Sequence, residues 1–232
     1  MRSQKDLTLI EGMVTHLETD GGKVTAAFVQ LGNESKRVGC RAIVLTTGTF
    51  MNGLCHQGKV QTVAARHGDR AVSELSTFLA DLGVNLRRFK TGTTPRIRLS
   101  SIDISQTEEL ASEPEAGPIS FKLERTFPRN ELLSCHQTRT TPRTHDLLSD
   151  RLHESAMYSG QIEGVGPRYC PSIEDKIVRF SDKSSHPIFL EVEEWLGESV
   201  YVQGFSTSLP AETQLDALRT IPGLEKVDMM RP

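Results

Sequence analysis

The sequence predicts an α/β protein from three features: short strands at its start, one strand buried on both faces, and an amphipathic helix. Polar turns at residues 20–22 and 32–35 separate apolar runs, which predicts antiparallel strands up to residue 40. Residues 42–46 (AIVLT) show no polar alternation, which favours an inner parallel strand. Between residues 69 and 82 apolar side chains recur every three or four positions, as in a helix with one buried stripe, and Gly83 is placed to end it.

Composition excludes several classes of protein. The 232 residues carry 27 Lys and Arg against 30 Asp and Glu, so the formal net charge of −3 excludes a strongly basic arm. A hydrophobic content of 37%, with 18 glycines besides, excludes a disordered chain. No run approaches the roughly 20 apolar residues of a membrane helix, and the four cysteines form no CxxC pair. We therefore expect a cytoplasmic protein with reduced thiols.

Further elements follow along the chain. A short strand is expected at 86–89, an exposed acidic connection at 105–118, and a helix at 145–152 preceded by Thr144. Ser172 and Asp175 have the spacing of a capping box at the start of another helix. A strand at 188–192, a hairpin around 195–202 and a helix at 211–219 complete the prediction.

Two positions are candidates for chemistry. Thr47, Gly48 and Thr49 follow the predicted inner strand, and the carboxyl edge of an α/β sheet is where ligands bind. Cys170 lies between Arg168 and Lys176 at a helix start, and both features favour the thiolate. A buried, inert cysteine is the alternative.

Other patterns are weaker. No G-x-G-x-x-G fingerprint occurs, so a self-sufficient dinucleotide site of that type is unsupported. Cys135 and the histidines near it do not have the spacing of a closed zinc site, and we predict no metal. Five cations could contact phosphates, although each alone is more often a surface residue: Lys90, Arg96, Arg139, Arg143 and Arg168.

Six motifs, in order along the chain, resemble the glucose-inhibited division protein A family of tRNA uridine modification enzymes. They are AIVLTTGTFMNG at 42–53, FKTGTTPRI at 89–97, THD at 144–146, MYSGQIEG at 157–164, GVGPRYCPSIEDKIVRF at 164–180 and STSLP at 206–210. The family's KTGTPPR motif commonly has Pro where this chain has Thr94, and Arg70 stands where many relatives have a small residue or Pro.

The resemblance implies part of a glutathione-reductase-type FAD/NAD(P)-binding fold with an inserted α+β lobe that binds NADH. Residues 1–53 would belong to the FAD-binding domain, 54–205 to the inserted lobe, and 206–232 to the return toward the FAD-binding domain. The chain would correspond to the middle of the family's sequence, since the glycine-rich FAD fingerprint and the first functional cysteine are not in it. We therefore expect this chain alone to be inactive.

The resemblance also implies a reaction. The family uses FAD and NADH to add a carboxymethylaminomethyl or aminomethyl group to C5 of the wobble uridine of tRNA. Methylenetetrahydrofolate is the implied one-carbon donor, and glycine or ammonium the implied amine. The implied partners are tRNA, a GTPase partner of the MnmE family and a second copy of the full-length protein, with no membrane.

Residues carried over from the family fall in two groups. Val14, Thr47, Gly48 and Thr49 would lie near FAD. The implied dinucleotide segment consists of Gly166, Pro167, Arg168, Tyr169, Cys170, Pro171, Ser172, Ile173, Glu174, Asp175, Lys176, Ile177, Val178, Arg179 and Phe180. Cys170 resembles the family's second functional cysteine, and with Lys176 it is the candidate catalytic residue. It could act as the nucleophile at uridine C6 or assist proton transfer.

Two other functions remain open from the sequence. One is a different flavin-dependent oxidoreductase acting on a small molecule, which would need no RNA. The other is a catalytically inactive interaction module.

Overall fold

A computed structural model describes residues 4–111, 113, 117, 121–122, 132–162, 164 and 171–232. The chain divides into two compact units. Unit 1 comprises Met1–Cys55 and Gln61–Arg88, and unit 2 comprises His56–Val60 and Phe89–Pro232. Within the described ranges, no helix is both long enough and apolar enough to span a membrane.

Unit 1 begins with a three-stranded antiparallel sheet in the order β1-β2-β3, which confirms the predicted meander. The strands are β1 (Met13–Asp20), β2 (Lys23–Leu31) and β3 (Glu34–Gly39). Gly21 and Gly22 form the first turn with φ of 53° and 78°, values that L side chains rarely adopt. A short hairpin of β4 (Leu54–Gln57) and β5 (Val60–Val63) follows later in the chain.

The strand predicted at 42–46 is not formed. The ladder with β2 ends where the Cys40 N–H donates to the Thr25 carbonyl (2.9 Å), and residues 42–46 belong to no strand. Val44 is 85% exposed. An apolar run becomes a strand only beside a neighbour that pairs with its backbone, and no described strand of unit 1 lies next to this run. In the other predicted strand, at 86–89, residues 86–88 form no strand and Phe89 forms a bridge.

Helix α1 (Glu74–Asp81) is shorter than the predicted range 69–82. It begins late because the Val72 backbone is bonded to a neighbouring segment: its N–H donates to the Phe50 carbonyl, and its carbonyl accepts from Asn52. The helix buries Leu75 and Leu79 against Leu17 of β1. The spacing therefore predicted the buried face correctly but not the start of the helix.

The end of α1 is the one predicted from Gly83. Gly83 has φ of 84°, and its N–H donates to the Ala80 carbonyl (2.9 Å). The next N–H, that of Val84, donates to the Leu79 carbonyl (3.0 Å). These are the two hydrogen bonds of a Schellman motif, which requires a left-handed residue at this position.

Unit 2 contains a six-stranded antiparallel sheet in the order β11-β6-β10-β9-β8-β7. Its strands are β6 (Arg96–Arg98), β7 (Glu108–Leu110), β8 (Cys135–Arg139), β9 (Pro187–Val192), β10 (Ser199–Gln203) and β11 (Met229–Arg231). The predicted strand at 188–192 and the hairpin that follows it are confirmed. The acidic connection expected at 105–118 is exposed at its start, but part of it forms the edge strand β7.

In the described part of unit 2, three α-helices accompany this sheet: α2 (Pro142–Asp150), α3 (Ile173–Arg179) and α4 (Ala211–Leu218). The predicted α4 is confirmed to within one residue. Helix α2 begins three residues earlier than predicted, because Thr141 is its N-cap and Thr144 closes a capping box with it. The core of unit 2 joins the sheet to the helices through fully buried side chains such as Ile97, Leu148, Ile173, Ile188 and Val202.

Two histidines stack in unit 2, one buried (His186) and one partly buried (His145). The rings of His145 on α2 and His186 before β9 lie 5.2 Å apart. Thr140 joins them, since its hydroxyl oxygen accepts from the His186 backbone N–H (2.7 Å) and lies 2.8 Å from Nε2 of His145. Burial lowers the pKa of both histidines, and the neighbouring His145 lowers that of His186 further. The folded protein therefore favours the neutral rings.

We expect Gly83→Ala to lower the free energy of unfolding by about 1 kcal/mol, because a Cβ disfavours the left-handed conformation. Open space surrounds the position, so the loss would come from the backbone alone. Chemical denaturation measures the effect. Gly39→Ala is the matched control, because Gly39 has an ordinary φ and its added Cβ would meet no atom closer than 3.8 Å. Equal stability of the two variants would contradict this interpretation.

The histidine pair predicts a pH dependence of stability. The folded state binds protons less readily than the unfolded chain, whose histidines titrate near 6.5. The contribution to stability is therefore present above pH 6.5 and is lost as the pH falls below it. Denaturation between pH 7.5 and 5, at intervals of about half a unit, measures the slope. His145→Gln should flatten it, whereas His153→Gln, at an exposed position, should not.

Candidate functional site

The loop between β10 and α4 brings separate motifs of unit 2 together. Its Ser206 carbonyl accepts from the Ile173 N–H at the start of α3 (2.7 Å). Its Thr207 N–H donates to the Thr93 carbonyl (3.2 Å). Its Ser208 carbonyl accepts from the N–H groups of Gly58 (2.7 Å) and Ala156 (3.4 Å). Backbone bonds thus join the segments around residues 58, 93, 156 and 173 to one loop.

Glu174 lies at the centre of this meeting point and has no exposed surface. Its Oε1 accepts hydrogen bonds from the hydroxyls of Ser155 (2.9 Å), Thr207 (3.1 Å) and Ser208 (3.3 Å), and from the Ser208 N–H (3.0 Å). We call these four residues, Ser155, Glu174, Thr207 and Ser208, the Glu174 cluster. The other oxygen, Oε2, is buried and has no hydrogen-bond partner among the described residues.

The Glu174 cluster is energetically expensive. Among the described residues, the groups that contact the carboxylate are three hydroxyls and one amide. Removing a carboxylate from water carries a desolvation penalty, which hydrogen bonds from neutral groups offset only in part. Groups of this kind call for an explanation beyond stability.

Helix α3 begins with the predicted capping box. The Asp175 N–H donates to the Ser172 hydroxyl (3.1 Å), and Asp175 Oδ2 accepts from the Ser172 N–H (3.1 Å). Asp175 Oδ1 faces Arg179 Nε (3.3 Å) and accepts from the Tyr158 hydroxyl (3.4 Å). Burial and then the Asp175 carboxylate raise the pKa of Tyr158, so the phenol stays protonated at neutral pH.

Lys176, a predicted catalytic residue, is partly buried on α3. Its Nζ donates to the Gly204 carbonyl (2.8 Å), at the point where β10 gives way to the loop. Gly204 has φ of 97°, and a Cβ there would lie 2.8 Å from the Pro187 carbonyl and 3.3 Å from the Lys176 ammonium. The lysine and the loop are therefore held together closely.

The residues of the predicted dinucleotide segment fall into four groups. Gly166, Pro167, Arg168, Tyr169 and Cys170 lie outside the described residues, so their predicted roles stay predictions. Residues 172–175 and Ile177 are buried, whereas residues 178–180 are exposed. Pro171 and Lys176 are partly exposed. A ligand lying along α3 would therefore contact its outer residues rather than Ile173, Glu174 or Ile177.

The other candidate phosphate contacts have different surroundings. Arg96 pairs with Glu193 (2.6 Å) and stacks over Tyr201, 4.3 Å from the ring centre. Lys90 lies beside the MYSGQIEG segment, with its Nζ 2.9 Å from the Met157 sulfur. Arg139 and Arg143 are exposed. Thr94, at the unusual position of the KTGTPPR motif, is buried, and its hydroxyl donates to the Val202 carbonyl.

The predicted flavin residues lie in unit 1. Val14 packs with the apolar cluster around Leu17. Thr47 begins a turn in which its carbonyl accepts from the Phe50 N–H (3.1 Å). Gly48 has φ of 54° with open space where a Cβ would point, and the Thr49 hydroxyl donates to the Ala65 carbonyl (3.0 Å). The turn thus offers an uncovered backbone at Gly48.

The described cysteines are free thiols: Cys40, Cys55 and Cys135. Burial raises the pKa of Cys55, and burial together with the Glu191 charge raises that of Cys135. Among the residues that the structure describes, no group of three or more His, Cys, Asp or Glu side chains is arranged to hold a metal ion.

Sequence reasoning missed three members of the site: Ser155, Thr207 and Ser208. The STSLP motif was noted, but small hydroxyl residues in a loop predict a turn as readily as a set of hydrogen-bond donors. The nearness of STSLP to the α3 start in space, across more than thirty residues of chain, was the missing information.

Together, the described residues define an α/β protein in which one loop of the second unit gathers short motifs around a buried carboxylate. The sequence profile of the family described as "Glucose inhibited division protein A" matches residues 1–232. The chain therefore belongs to this family.

Curated relatives and solved structures agree with that membership. The chain is 46% identical over 226 residues to the tRNA uridine 5-carboxymethylaminomethyl modification enzyme MnmG of Bacillus thuringiensis strain Al Hakam, covering 97% of this chain and 35% of that protein. It is 45% identical over 235 residues to the MnmG of Myxococcus xanthus, covering 99% and 38%. The GidA of Aquifex aeolicus (form I crystal) superposes with a TM-score of 0.88 at 39% identity, over 100% of this chain and 39% of that one. The chain thus spans little more than a third of the length of these relatives.

Because the pKa values of Cys55 and Cys135 are raised, we expect both to react slowly with iodoacetamide at pH 7. Mass spectrometry of timed samples measures the rate at each cysteine. The same protein unfolded in urea is the control, and there both rates should rise toward that of free cysteine. Equal rates in the folded and unfolded protein would contradict the assigned burial.

Proposed function

We propose that this chain is part of an FAD- and NADH-dependent enzyme that modifies tRNA. The reaction adds a carboxymethylaminomethyl or aminomethyl group to C5 of the wobble uridine, with methylenetetrahydrofolate as one-carbon donor and glycine or ammonium as amine. The proposal is supported by the name that the curated relatives carry, tRNA uridine 5-carboxymethylaminomethyl modification enzyme.

The observation that carries the proposal is the convergence of motifs on the loop that contains Ser208. The FKTGTTPRI, MYSGQIEG and STSLP segments and the α3 start are distant in sequence yet share hydrogen bonds at this loop. Scaffolds place functional residues on loops held by rigid elements. A set of motifs gathered at one loop is therefore better explained by a shared site than by four separate structural roles.

Helix α3 offers a surface for the dinucleotide. NADH would supply the hydride in this reaction. Lys176 provides a cation beside the Gly204 carbonyl, and residues 178–180 present an exposed outer face. In this proposal Pro171, Lys176 and the exposed residues contact the ligand, and the buried residues support them.

The turn at Thr47, Gly48 and Thr49 is the proposed approach of FAD in unit 1. Bound flavin would supply the redox chemistry that amino-acid side chains cannot perform. The left-handed Gly48 leaves its backbone uncovered, so a flat ring or a phosphate could approach it closely. Val14 would contribute through the apolar cluster on which the turn rests.

The proposed nucleophile is Cys170. The capping box of Ser172 and Asp175 begins a helix whose N-cap is two residues after Cys170 in the chain, and Lys176 lies one turn into that helix. A helix start and a nearby ammonium both stabilise a thiolate. Addition of this thiolate to uridine C6 would form a C–S bond and make C5 electron-rich. Loss of the C5 proton after substitution would release the thiolate again. Proton transfer by the same sulfur is the other role open to it.

The wider organisation is also a proposal. We infer a glutathione-reductase-type FAD-binding domain at residues 1–53 and 206–232, with the NADH-binding lobe inserted at 54–205. The whole protein would act as a cytoplasmic homodimer with a GTPase partner of the MnmE family. The support is membership of the family, whose curated members are about three times the length of this chain.

We expect Cys170→Ser in the full-length protein to abolish the modified uridine, because a hydroxyl at this position is a far weaker nucleophile than a thiolate. Mass spectrometry of nucleosides from tRNA incubated with the variant measures the product, and circular dichroism checks the fold. Cys135→Ser is the matched control and should retain the activity, since Cys135 lies in strand β8 with a raised pKa. Modified uridine formed by Cys170→Ser at the normal rate would refute the nucleophilic role.

A further inference from the structure

The Glu174 cluster presents a buried carboxylate that the proposed mechanism does not use. Glu174 is fully enclosed, so its side chain does not reach a ligand lying along the outer face of α3. Its Oε1 instead accepts hydrogen bonds from Ser155, which precedes α3 in the chain, and from Thr207 and Ser208, which follow it. These contacts indicate an indirect role.

These contacts join three segments that are distant from one another in the chain. Ser155 belongs to the turn that leads into the MYSGQIEG segment, and Thr207 and Ser208 belong to the STSLP loop. Glu174 itself is the second residue of α3. The Ser208 hydroxyl also lies 2.9 Å from the Ser155 hydroxyl and accepts from the Met157 N–H (3.2 Å). Movement of the carboxylate would therefore remove hydrogen bonds from the loop and from the turn at the same time.

The same loop determines where Lys176 lies. Lys176, two residues after Glu174 on α3, donates to the Gly204 carbonyl. Gly204 lies four residues before Ser208 in the chain. The Ile173 N–H donates to the Ser206 carbonyl, so backbone bonds join helix and loop on the other side of Glu174. Glu174 thus lies between the two contacts that set the helix against the loop.

We propose that Glu174 is a positioning residue for dinucleotide binding, acting by holding the Ser208 loop, the Ser155 turn and α3 in the arrangement that presents Lys176. This inference rests on the proposed function, because it assumes that α3 takes part in binding NADH. It assigns to Glu174 a role different from direct contact with the ligand. In this role Oε1 acts as a hydrogen-bond acceptor, and the negative charge of the carboxylate is not required.

The test uses three variants of the full-length protein. Glu174→Ala removes both oxygens, and Glu174→Gln keeps an acceptor at Oε1. Thr144→Ala is the matched control: Thr144 is also fully buried and belongs to a capping box, but it lies on α2 and bonds to Thr141 and Thr220 rather than to the loop. The measurements are the dissociation constant for NADH, kcat at saturating NADH, Tm and hydrogen exchange at the Ser208 amide.

We expect Glu174→Ala to weaken NADH binding at least about tenfold while kcat at saturating NADH changes by less than about twofold. Glu174→Gln should restore binding to within about threefold of the unsubstituted protein, since the amide oxygen can still accept. Exchange at the Ser208 amide should rise in Glu174→Ala alone. Thr144→Ala should lower Tm and leave NADH binding unchanged.

Three results would overturn the proposal. In the first, folded Glu174→Ala binds NADH normally despite a lowered Tm, which would make the role purely structural. In the second, Glu174→Gln binds as weakly as Glu174→Ala, which would assign the role to the charge. In the third, Thr144→Ala weakens binding equally, which would make the effect one of general destabilisation. If the unsubstituted protein fails to bind NADH, the proposed function fails, and exchange at the Ser208 amide decides by itself whether Glu174 holds the loop.

Discussion

In unit 2, hydrogen bonds to one oxygen atom, Oε1 of Glu174, join the start of α3 to two segments that are distant in the chain. Three hydroxyls and a backbone amide converge on it from two separate segments. In a sealed interior these bonds are stronger than in water, because the surroundings do not compete for the donors. The same environment makes it costly to bury Oε2, which has no hydrogen-bond partner among the described residues. Burying the carboxylate lowers the stability of the fold, while the hydrogen bonds to Oε1 fix the positions of the groups around it.

Backbone hydrogen bonds also hold the Ser208 loop against the neighbouring segments. The Ser208 carbonyl, the Ser206 carbonyl and the Thr207 N–H each pair with a different segment, so the loop has little freedom once these bonds form. Two residues of the loop itself, the fully buried Phe205 and Leu209, anchor it in the apolar core. Full burial of such side chains contributes about 1.5–3 kcal/mol each, which helps to offset the polar groups above them. A rigid loop of this kind suits a site that must hold a ligand in one orientation.

The two units differ in how completely they bury their apolar side chains. Unit 2 buries a continuous core between an antiparallel sheet and helices. Unit 1 has a smaller core of Leu17, Leu75 and Leu79 and leaves the apolar segment around Val44 exposed. Residues 42–46 have the composition of a buried strand but not the surroundings of one. An apolar composition favours a buried strand, but a segment becomes one only when other elements lie beside it.

Local chemistry by itself determined much of this protein. The capping box at Ser172, the Schellman motif at Gly83, the meander with its glycine turns and the final helix all follow from interactions within a few residues, and each is present in the structure. The start of α1, the strand predicted at 42–46 and the enclosure of Glu174 were decided by tertiary structure. Each depends on a partner far away in the chain: the backbone of Phe50 for Val72, a neighbouring strand for residues 42–46, and the hydroxyls of Ser155, Thr207 and Ser208 for Glu174. Hydrogen bonds between distant segments leave no periodic pattern in a sequence, so only the folded chain shows them.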